Sequence, residues 1–302
     1  MTATATPEPG RTLEFALLGL LALFWGSAYL FVGIAVQEIP PLTLIACRVS
    51  IATLILGTVM VAQGARLPRD GRTWRRLLLQ GFCNAIIPWP LLAWGQQHID
   101  SSLAAVLNST APIWVFLMVV FVTRHESTAP RRLAGAVLGL GGVTMIVGIE
   151  ALSGLGEQVA GQLAALGGAI LYGVAAINGK RFTDISPTAV AFGTMLWAVL
   201  FIVPASLIVD RPWTLSPSFD AMAATAALGV FCTGGALLIY FRLVRTLGSM
   251  GVASQAYLRS GIAVMLGVVF LDETITPLVG LGLAAAIAGV ALINLPSRRA
   301  GQ

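Results

Sequence analysis

Charge is what this sequence lacks most. Only 10% of its 302 residues are charged, 57% are hydrophobic, and the mean hydropathy is +0.87. A soluble globular domain carries about 25% charged residues, because its surface must face water. A chain of this length with so little charge cannot cover a water-exposed surface. The composition therefore excludes an ordinary soluble protein and indicates an integral membrane protein.

Catalytic and cofactor signatures are missing as well. No glycine-rich P-loop ends in Lys-Ser or Lys-Thr, which argues against a built-in ATPase. His98 and His125 fall at span ends on opposite sides of the membrane, and no helix carries paired carboxylates or a set of metal ligands. The three cysteines lie inside apolar runs, which indicates free thiols. No catalytic residue, metal site or cofactor is predicted, although a membrane-embedded enzyme or scaffold remains the alternative from another class.

What the sequence has is a series of long apolar runs. About 20 apolar residues are needed to cross the hydrocarbon core as an α-helix. The first run is too long for a signal peptide and is interpreted as a retained span. The sequence predicts an all-α fold with ten spans, at 14–36, 41–62, 74–96, 102–123, 130–149, 159–179, 187–209, 218–241, 249–271 and 276–295.

The basic residues predict how these spans are oriented. With a cytoplasmic N-terminus, 15 of the 18 Lys and Arg residues fall on the cytoplasmic side and only Arg211 falls outside. Arg48 and Arg259 lie within spans. Such a bias over short loops follows the positive-inside rule. It predicts a multi-pass protein of the cytoplasmic (inner) membrane with both termini cytoplasmic, and it attributes the net charge of +5 to topology, with no nucleic-acid partner.

The chain also repeats itself. "HESTAPRRLAGAVLGLGGVTMI" (125–146) resembles "DETITPLVGLGLAAAIAGVALI" (272–293), and "QGFCN" (80–84) resembles "GVFCT" (229–233). Each copy holds five spans, an odd number, so the second copy must cross the membrane in the opposite sense. Inverted repeats recur in secondary transporters, which bind substrate near the midplane between the halves. The predicted segments are a cytoplasmic tail 1–13, a first repeat 14–149, an external linker 150–158, a second repeat 159–295 and a cytoplasmic tail 296–302.

Several of these segments are similar to a known family. "FWGSAYLFVGIAVQEIPPLTLIACR" in the first half, "SSLAAVLNSTAPIW" in span 4, and the acidic residue before spans 5 and 10 resemble the EamA-type transporters of the drug/metabolite transporter superfamily. The resemblance implies a ten-helix fold that exports or exchanges small metabolites, often amino acids or drug-like compounds. Members often carry "Y-L-E-P" in span 9, where this chain has Tyr257-Leu258-Arg259-Ser260. The substrates of relatives with the acidic version therefore do not carry over.

Arg259 is the most informative residue within a predicted span. It is the eleventh residue of span 9, near the midplane, where an arginine costs about 2.5–3.5 kcal/mol on the insertion scale. No acid of the chain is predicted at that depth to pair with it. A guanidinium binds carboxylate or phosphate with a two-pronged fork, so an anionic group of the substrate is the expected partner. The alternative is a structural role, with bonds to backbone carbonyls or to Asn and Gln of neighbouring helices.

Other polar and aromatic residues are expected to complete the site. Gln255 shares a helix face with Arg259, and Asn108 lies at a comparable depth in span 4, just before Pro112. Arg48 is interpreted as structural, with an external gating role as the alternative. Aromatic side chains of the spans are expected to line the cavity, with packing or interface belts as the alternative. The candidate substrate-binding residues are Arg259, Gln255, Asn108, Trp25, Tyr29, Trp89, Tyr172, Tyr240 and Arg48.

Together these patterns predict a carrier. The most favoured cargo is an amino acid with a bulky apolar side chain or a similar amphipathic carboxylate, and the alternative cargo is a phosphorylated or other organic anion. None of the 13 acids is predicted mid-membrane, where proton relays commonly lie, which favours a uniporter or exchanger. Small-residue faces in span 5 (Gly135, Gly139, Gly142) and span 10 (Gly282, Ala285, Gly289) predict close helix packing, with a homodimer contact as an additional expectation.

Overall fold

The apolar runs form helices, because in hydrocarbon every backbone N–H and C=O must be paired within its own segment. The computed structural model describes residues 9–118, 130–147, 157–179, 181–182, 184–246, 255–274 and 276–294, and within these ranges it has no β-strand. The α-helices of the described residues are α1 Pro9–Ala35, α2 Pro41–Ala62, α3 Gly71–Gly81, α4 Pro88–Gly95, α5 Ser101–Asn108, α6 Ala111–Met118, α7 Pro130–Val147, α8 Glu157–Gly179, α9 Pro187–Val209, α10 Phe219–Gly229, α11 Ala236–Thr246, α12 Gln255–Phe270 and α13 Pro277–Asn294.

Six stretches of the described chain are long and apolar enough to cross a membrane. They are Leu13–Ala35, Pro41–Ala62, Gly71–Gly95, Gln158–Gly179, Pro187–Val209 and Phe219–Tyr240. Shorter apolar helices run over Gly261–Phe270 and Gly280–Gly289. The chain is therefore a multi-pass, all-helical membrane protein, as predicted, whereas a total of ten spans stays a prediction.

Two spans contain a π-helical turn at equivalent places in the two halves. One turn, Phe82–Ile86, joins α3 to α4, and the other, Val230–Gly235, joins α10 to α11. Both turns overlap the segments "QGFCN" and "GVFCT", which the sequence matches to each other. A π turn inserts an extra residue into the helical ladder and is often found at functional sites. The internal repeat is thus visible in the backbone as well as in the sequence.

Predicted span 4 is interrupted near its middle. Its first helix, α5, ends at Asn108, a turn follows at Ser109 and Thr110, and α6 begins at Ala111. The Ser109 hydroxyl donates to the Ala105 carbonyl (2.7 Å) and the Thr110 hydroxyl to the Leu107 carbonyl (2.6 Å). Carbonyls next to a break need such partners in an apolar medium. The carbonyls of this helix end are thus paired locally, and the break lies directly beside Asn108.

Carboxylates at the helix ends connect the two halves of the chain. Asp210 accepts from the Thr43 backbone N–H (2.7 Å) at the start of α2. Glu38 accepts from the Ser218 N–H (2.7 Å) and hydroxyl (2.6 Å), just before α10. These two hydrogen bonds hold the pKa of Glu38 below its ordinary value, and the bond from the Ser218 hydroxyl has the larger effect. The span-end acids thus act as caps between the halves.

Helices α7 and α13 pack closely through their glycines. A Cβ added at Gly289 would lie 2.5 Å from the Gly135 carbonyl oxygen and 2.7 Å from the Gly139 Cα. Only glycine permits such an approach of two backbones. The small-residue faces of spans 5 and 10 are therefore buried against each other within one chain. A homodimer contact stays a prediction.

Candidate functional site

Seven side chains from six helical segments and one π turn meet in the interior. We call this group the central polar cluster. It consists of Tyr29 (α1), Arg48 (α2), Trp89 (α4), Asn108 (α5), Tyr172 (α8), Thr233 (the second π turn) and Arg259 (α12). Six of the seven are residues that the sequence nominates, and they come from both halves of the chain.

Asn108 and Tyr29 form a buried hydrogen-bonded pair. The Asn108 Nδ2 donates to the Tyr29 hydroxyl at 2.5 Å, and the two side chains are only 3% and 8% exposed. The Asn108 Oδ1 is also buried and finds no hydrogen-bond partner among the described residues. A buried polar atom without a partner costs about 1–3 kcal/mol. A ligand that brought a donor to this oxygen would remove that cost.

Arg48 is held on two sides. Its guanidinium carbon lies 3.8 Å from the centre of the Trp89 ring, and its Nε donates to the Thr233 Oγ1 at 2.8 Å. The Thr233 hydroxyl in turn donates to the Leu228 carbonyl at 2.9 Å, which the π turn leaves available. A cation over an indole face is attracted by the ring quadrupole. These contacts link Arg48, which belongs to span 2, to span 3 and span 8.

Tyr172 lies at the centre of the cluster. Its hydroxyl interacts electrostatically with Tyr29, Arg48 and Arg259, and also with the Trp89 side chain. Both guanidinium groups within the spans are therefore close enough to this phenol to interact with it electrostatically. A buried tyrosine hydroxyl in such a position can donate to an anion or accept from a cation without itself being charged.

Arg259 lies one turn into α12, against the middle of α1. A Cβ added at Gly26 would lie 3.0 Å from the Arg259 carbonyl oxygen and 2.8 Å from the Ile262 side chain, so this close approach requires glycine. The Arg259 Nε is buried, and no described atom accepts its hydrogen bond. The predicted structural alternative, in which the backbone or an amide satisfies this group, is not seen for Nε within the described residues. A donor therefore stands unpaired beside the cluster.

The remaining candidate residues lie elsewhere. Trp25 packs on Tyr240, with ring centres 5.6 Å apart, in an apolar group with Leu18, Leu21 and Leu243. Trp25 lies one turn of α1 away from Tyr29, and its ring packs in this apolar group. Gln255 is the first residue of α12, and its side chain lies outside the described part of the structure.

Sequence reasoning missed Thr233. The residue belongs to "GVFCT", which the sequence marks only as part of a repeat. Its hydrogen bond to Arg48 depends on a π turn that the composition does not reveal. Ser27 and Cys232 were missed for a similar reason. Their Oγ and Sγ atoms lie 3.7 Å apart and join span 1 to span 8. No group of three or more potential metal ligands occurs among the described residues.

Comparison with known proteins shows which family this chain is similar to. The family described as "EamA-like transporter family" matches residues 13–148 and again 159–295. The chain belongs to this family. It is 29% identical to the "Uncharacterized inner membrane transporter YedA" of Escherichia coli (strain K12), over 93% of this chain and 90% of that protein. The EamA resemblance stated from the sequence is thereby confirmed.

One further relative and one solved structure are similar to this chain. The chain is 25% identical to the "Probable terminal-alkyne amino-acid exporter" of Streptantibioticus cattleyicolor, over 92% of each chain. A solved crystal structure superposes with a TM-score of 0.65 at 20% identity, covering 96% of this chain and 99% of the other. At that identity the superposition supports the fold alone. This EamA-like chain is thus a transporter-family membrane protein.

Proposed function

We propose that this EamA-like protein is a secondary transporter of amino acids with bulky apolar side chains, or of similar amphipathic carboxylates. The main support for this proposal is that two buried atoms of the cluster lack hydrogen-bond partners. The Arg259 Nε lacks an acceptor and the Asn108 Oδ1 lacks a donor among the described residues. A zwitterionic amino acid supplies both, because its carboxylate accepts from guanidinium and its ammonium donates to an amide oxygen.

The aromatic residues of the cluster support the apolar part of this substrate. Tyr29, Trp89 and Tyr172 surround the polar atoms and offer ring faces to a side chain. Small-molecule sites are typically lined by apolar and aromatic groups, with few polar groups that fix the orientation. A relative named as a probable amino-acid exporter is consistent with this substrate class.

Alternating access between the two halves is the proposed mechanism. The described carboxylates Glu38, Asp210 and Glu273 cap helices at their ends, where each accepts hydrogen bonds from the other half. A carboxylate engaged in this way makes a poor proton relay, so the proposal includes exchange or uniport without a required proton gradient. The proposed location is the cytoplasmic membrane, with both termini in the cytoplasm.

Counterflow in proteoliposomes tests the proposal. Vesicles loaded with unlabelled phenylalanine or leucine should accumulate the labelled amino acid transiently, without a pH gradient and without chemical change of the solute. Empty vesicles and vesicles loaded with a sugar are the controls. Consumption of the solute would indicate an enzyme, and counterflow that strictly needs imposed protons would refute the uncoupled mechanism.

A second cargo is supported by one observation. Arg48 and Arg259 both interact electrostatically with Tyr172, and two guanidinium groups in one neighbourhood would suit a phosphorylated or other organic anion. Counterflow of sugar phosphates without counterflow of amino acids would favour this cargo. A homodimer through the small-residue faces of spans 5 and 10 is a separate proposal.

A further inference from the structure

A basic groove lies apart from the central polar cluster, where α3 meets the end of α8. Its volume is about 480 Å³, and it is lined by Gly71, Arg72, Arg75, Arg76, Leu79, Asn178 and Arg181. Four guanidinium groups therefore surround one groove. None of the four makes an ion pair with a carboxylate of the described residues. Arg76 interacts electrostatically with the Asp70 carboxylate, and the other three cations leave the groove positively charged, which favours an anionic ligand.

The groove lies near one end of a candidate membrane span, Gly71–Gly95. Trp74, on the same helix, donates from Nε1 to the Pro68 carbonyl (2.9 Å) and packs against Trp197. Tryptophans with one polar contact and one apolar contact are typical of the membrane interface. The positive-inside rule assigns this end of α3 to the cytoplasmic leaflet, where the anionic phospholipids attract basic groups.

The groove also faces outward. Arg72, Arg75 and Leu79 share one face of α3, and Leu79 is 44% exposed. The same side of the span continues to Phe82, whose ring lies 5.0 Å from that of Phe201. Phe201 belongs to an exposed apolar surface of α9 that includes Leu200. The groove thus has cations at its polar end and an apolar surface below them, which matches a phospholipid with its acyl chains.

An asparagine that lines the groove has one buried polar atom without a hydrogen-bond partner. Asn178 is buried, and its Nδ2 donates to the Arg76 carbonyl (3.1 Å) and to the Gln80 side chain (2.9 Å). Its Oδ1 is buried without a hydrogen-bond partner among the described residues. An atom of this kind accepts from a hydroxyl or an ammonium group. A headgroup that carries both phosphate and a hydroxyl would satisfy the arginines and Asn178 together.

We propose that this groove binds the headgroup of an anionic phospholipid of the cytoplasmic leaflet, of the phosphatidylglycerol type. The phosphate would lie among Arg72, Arg75, Arg76 and Arg181, with the glycerol beside Asn178. Basic pockets between transmembrane helices on the cytoplasmic side are suited to such headgroups. The lipid would then join span 3 to span 6 on their outer surface, independently of the transported substrate.

The test is a lipid titration of the detergent-purified, full-length protein. Dihexanoyl phosphatidylglycerol should raise the melting temperature saturably, because a ligand that binds only the folded state stabilises it. Dihexanoyl phosphatidylcholine should not. Glycerol 1-phosphate and inorganic phosphate form a third arm, and an equal shift with these soluble anions would overturn the assignment to a lipid.

Matched double variants separate the groove from general charge. Arg72→Gln with Arg75→Gln removes two groove cations, and Arg66→Gln with Arg69→Gln removes two cations from the same connection outside the groove. We expect at least a roughly tenfold loss of phosphatidylglycerol affinity in the first variant and less than about a twofold change in the second. Equal losses would show that net charge alone attracts the lipid and would overturn the proposal.

A measurement on the unchanged protein covers the case in which the groove variant does not fold. Native mass spectrometry of the wild type, in an equal mixture of phosphatidylglycerol and phosphatidylcholine, should show phosphatidylglycerol retained preferentially at a small, defined stoichiometry. Retention without preference between the two lipids would overturn the proposal.

Discussion

The Glu273 carboxylate caps the helix that begins at Ser101. Its Oε1 accepts the Ser101 backbone N–H at 2.6 Å, and its Oε2 accepts the N–H of Ser102 at 2.9 Å and also its hydroxyl. Glu273 follows α12 and belongs to the second half, whereas α5 belongs to the first. Because Asn108 lies two turns further along α5, this cap of one half positions a cluster residue of the other.

Replacing Glu273 by glutamine should loosen this helix. An anionic cap at a helix N-terminus contributes about 1–2 kcal/mol through its hydrogen bonds and the helix dipole. We expect a lower melting temperature and a higher KM for the substrate. Ser186→Ala is the matched control, since the Ser186 side chain caps α9, which carries no cluster residue. Equal KM values in the two variants would show that the cap has no link to the site.

Arg259 should discriminate between charged and uncharged substrates. Replacing it by alanine removes a charge-assisted hydrogen bond of about 1.5–3 kcal/mol, a loss of roughly 10- to 150-fold in affinity. Lysine keeps the charge without the fork, so partial activity should survive. Counterflow of an amino acid and of its amide measures the effect, with membrane expression as the control. Equal losses for both substrates would make the arginine structural.

The Thr233 hydroxyl should stabilise the protein through Arg48. In Thr233→Val the Arg48 Nε loses its acceptor, and a hydrogen bond to a charged group contributes about 1.5–3 kcal/mol. Thr233→Ser keeps the hydroxyl and should unfold nearly as the wild type does. The melting temperatures of the two purified variants give the comparison. If valine and serine unfold together, the 2.8 Å contact contributes no stability.

Asp100 should make stability depend on pH. Burial first, and then the neighbouring Glu273, raise the pKa of the Asp100 carboxyl. The folded state therefore binds this proton more tightly than the unfolded state, and stability is lost as the pH rises through the raised pKa. Asp100→Asn removes that loss.

The measurement is the melting temperature of Asp100→Asn and wild type as a function of pH. The variant should melt higher at neutral pH, and the difference should vanish as the pH falls below the ordinary range of an aspartate. Asp220→Asn, in the exposed first turn of α10, is the control and should show no such gain. A difference in melting temperature that grows as the pH falls would contradict a raised pKa of Asp100.

The orientation of the chain is tested by reporter fusions. The loop bias of basic residues predicts that fusions at Gln302 and within 63–73 are cytoplasmic and that fusions near Glu157 are external. A cytoplasmic phosphatase fusion should be inactive and an external one active, with a fluorescent-protein fusion as the reciprocal control. An external C-terminus would contradict both the even number of spans and the inverted repeat.

Much of the site was predictable from sequence because it follows from the cost of burying polar groups. Tyr29, Arg48, Asn108 and Arg259 stand out as polar side chains within apolar runs, and the structure brings them together with Trp89 and Tyr172. Trp25 and Tyr240 show the limit of this reasoning. Aromatic residues occur in packing as readily as in sites, so their sequence position does not distinguish the two.

A helical membrane protein with a duplicated pattern follows from the amino-acid sequence, because hydropathy and repeat spacing are local properties that need no tertiary contact. The fold was needed to show that Thr233 holds Arg48, that Glu273 caps the helix of Asn108 and that four arginines line one groove. Each of these depends on residues far apart in the chain and on breaks in helical geometry, here two π turns and the interruption after Asn108. A hydrogen bond between distant residues is set by how the helices pack, and hydropathy carries no record of that packing.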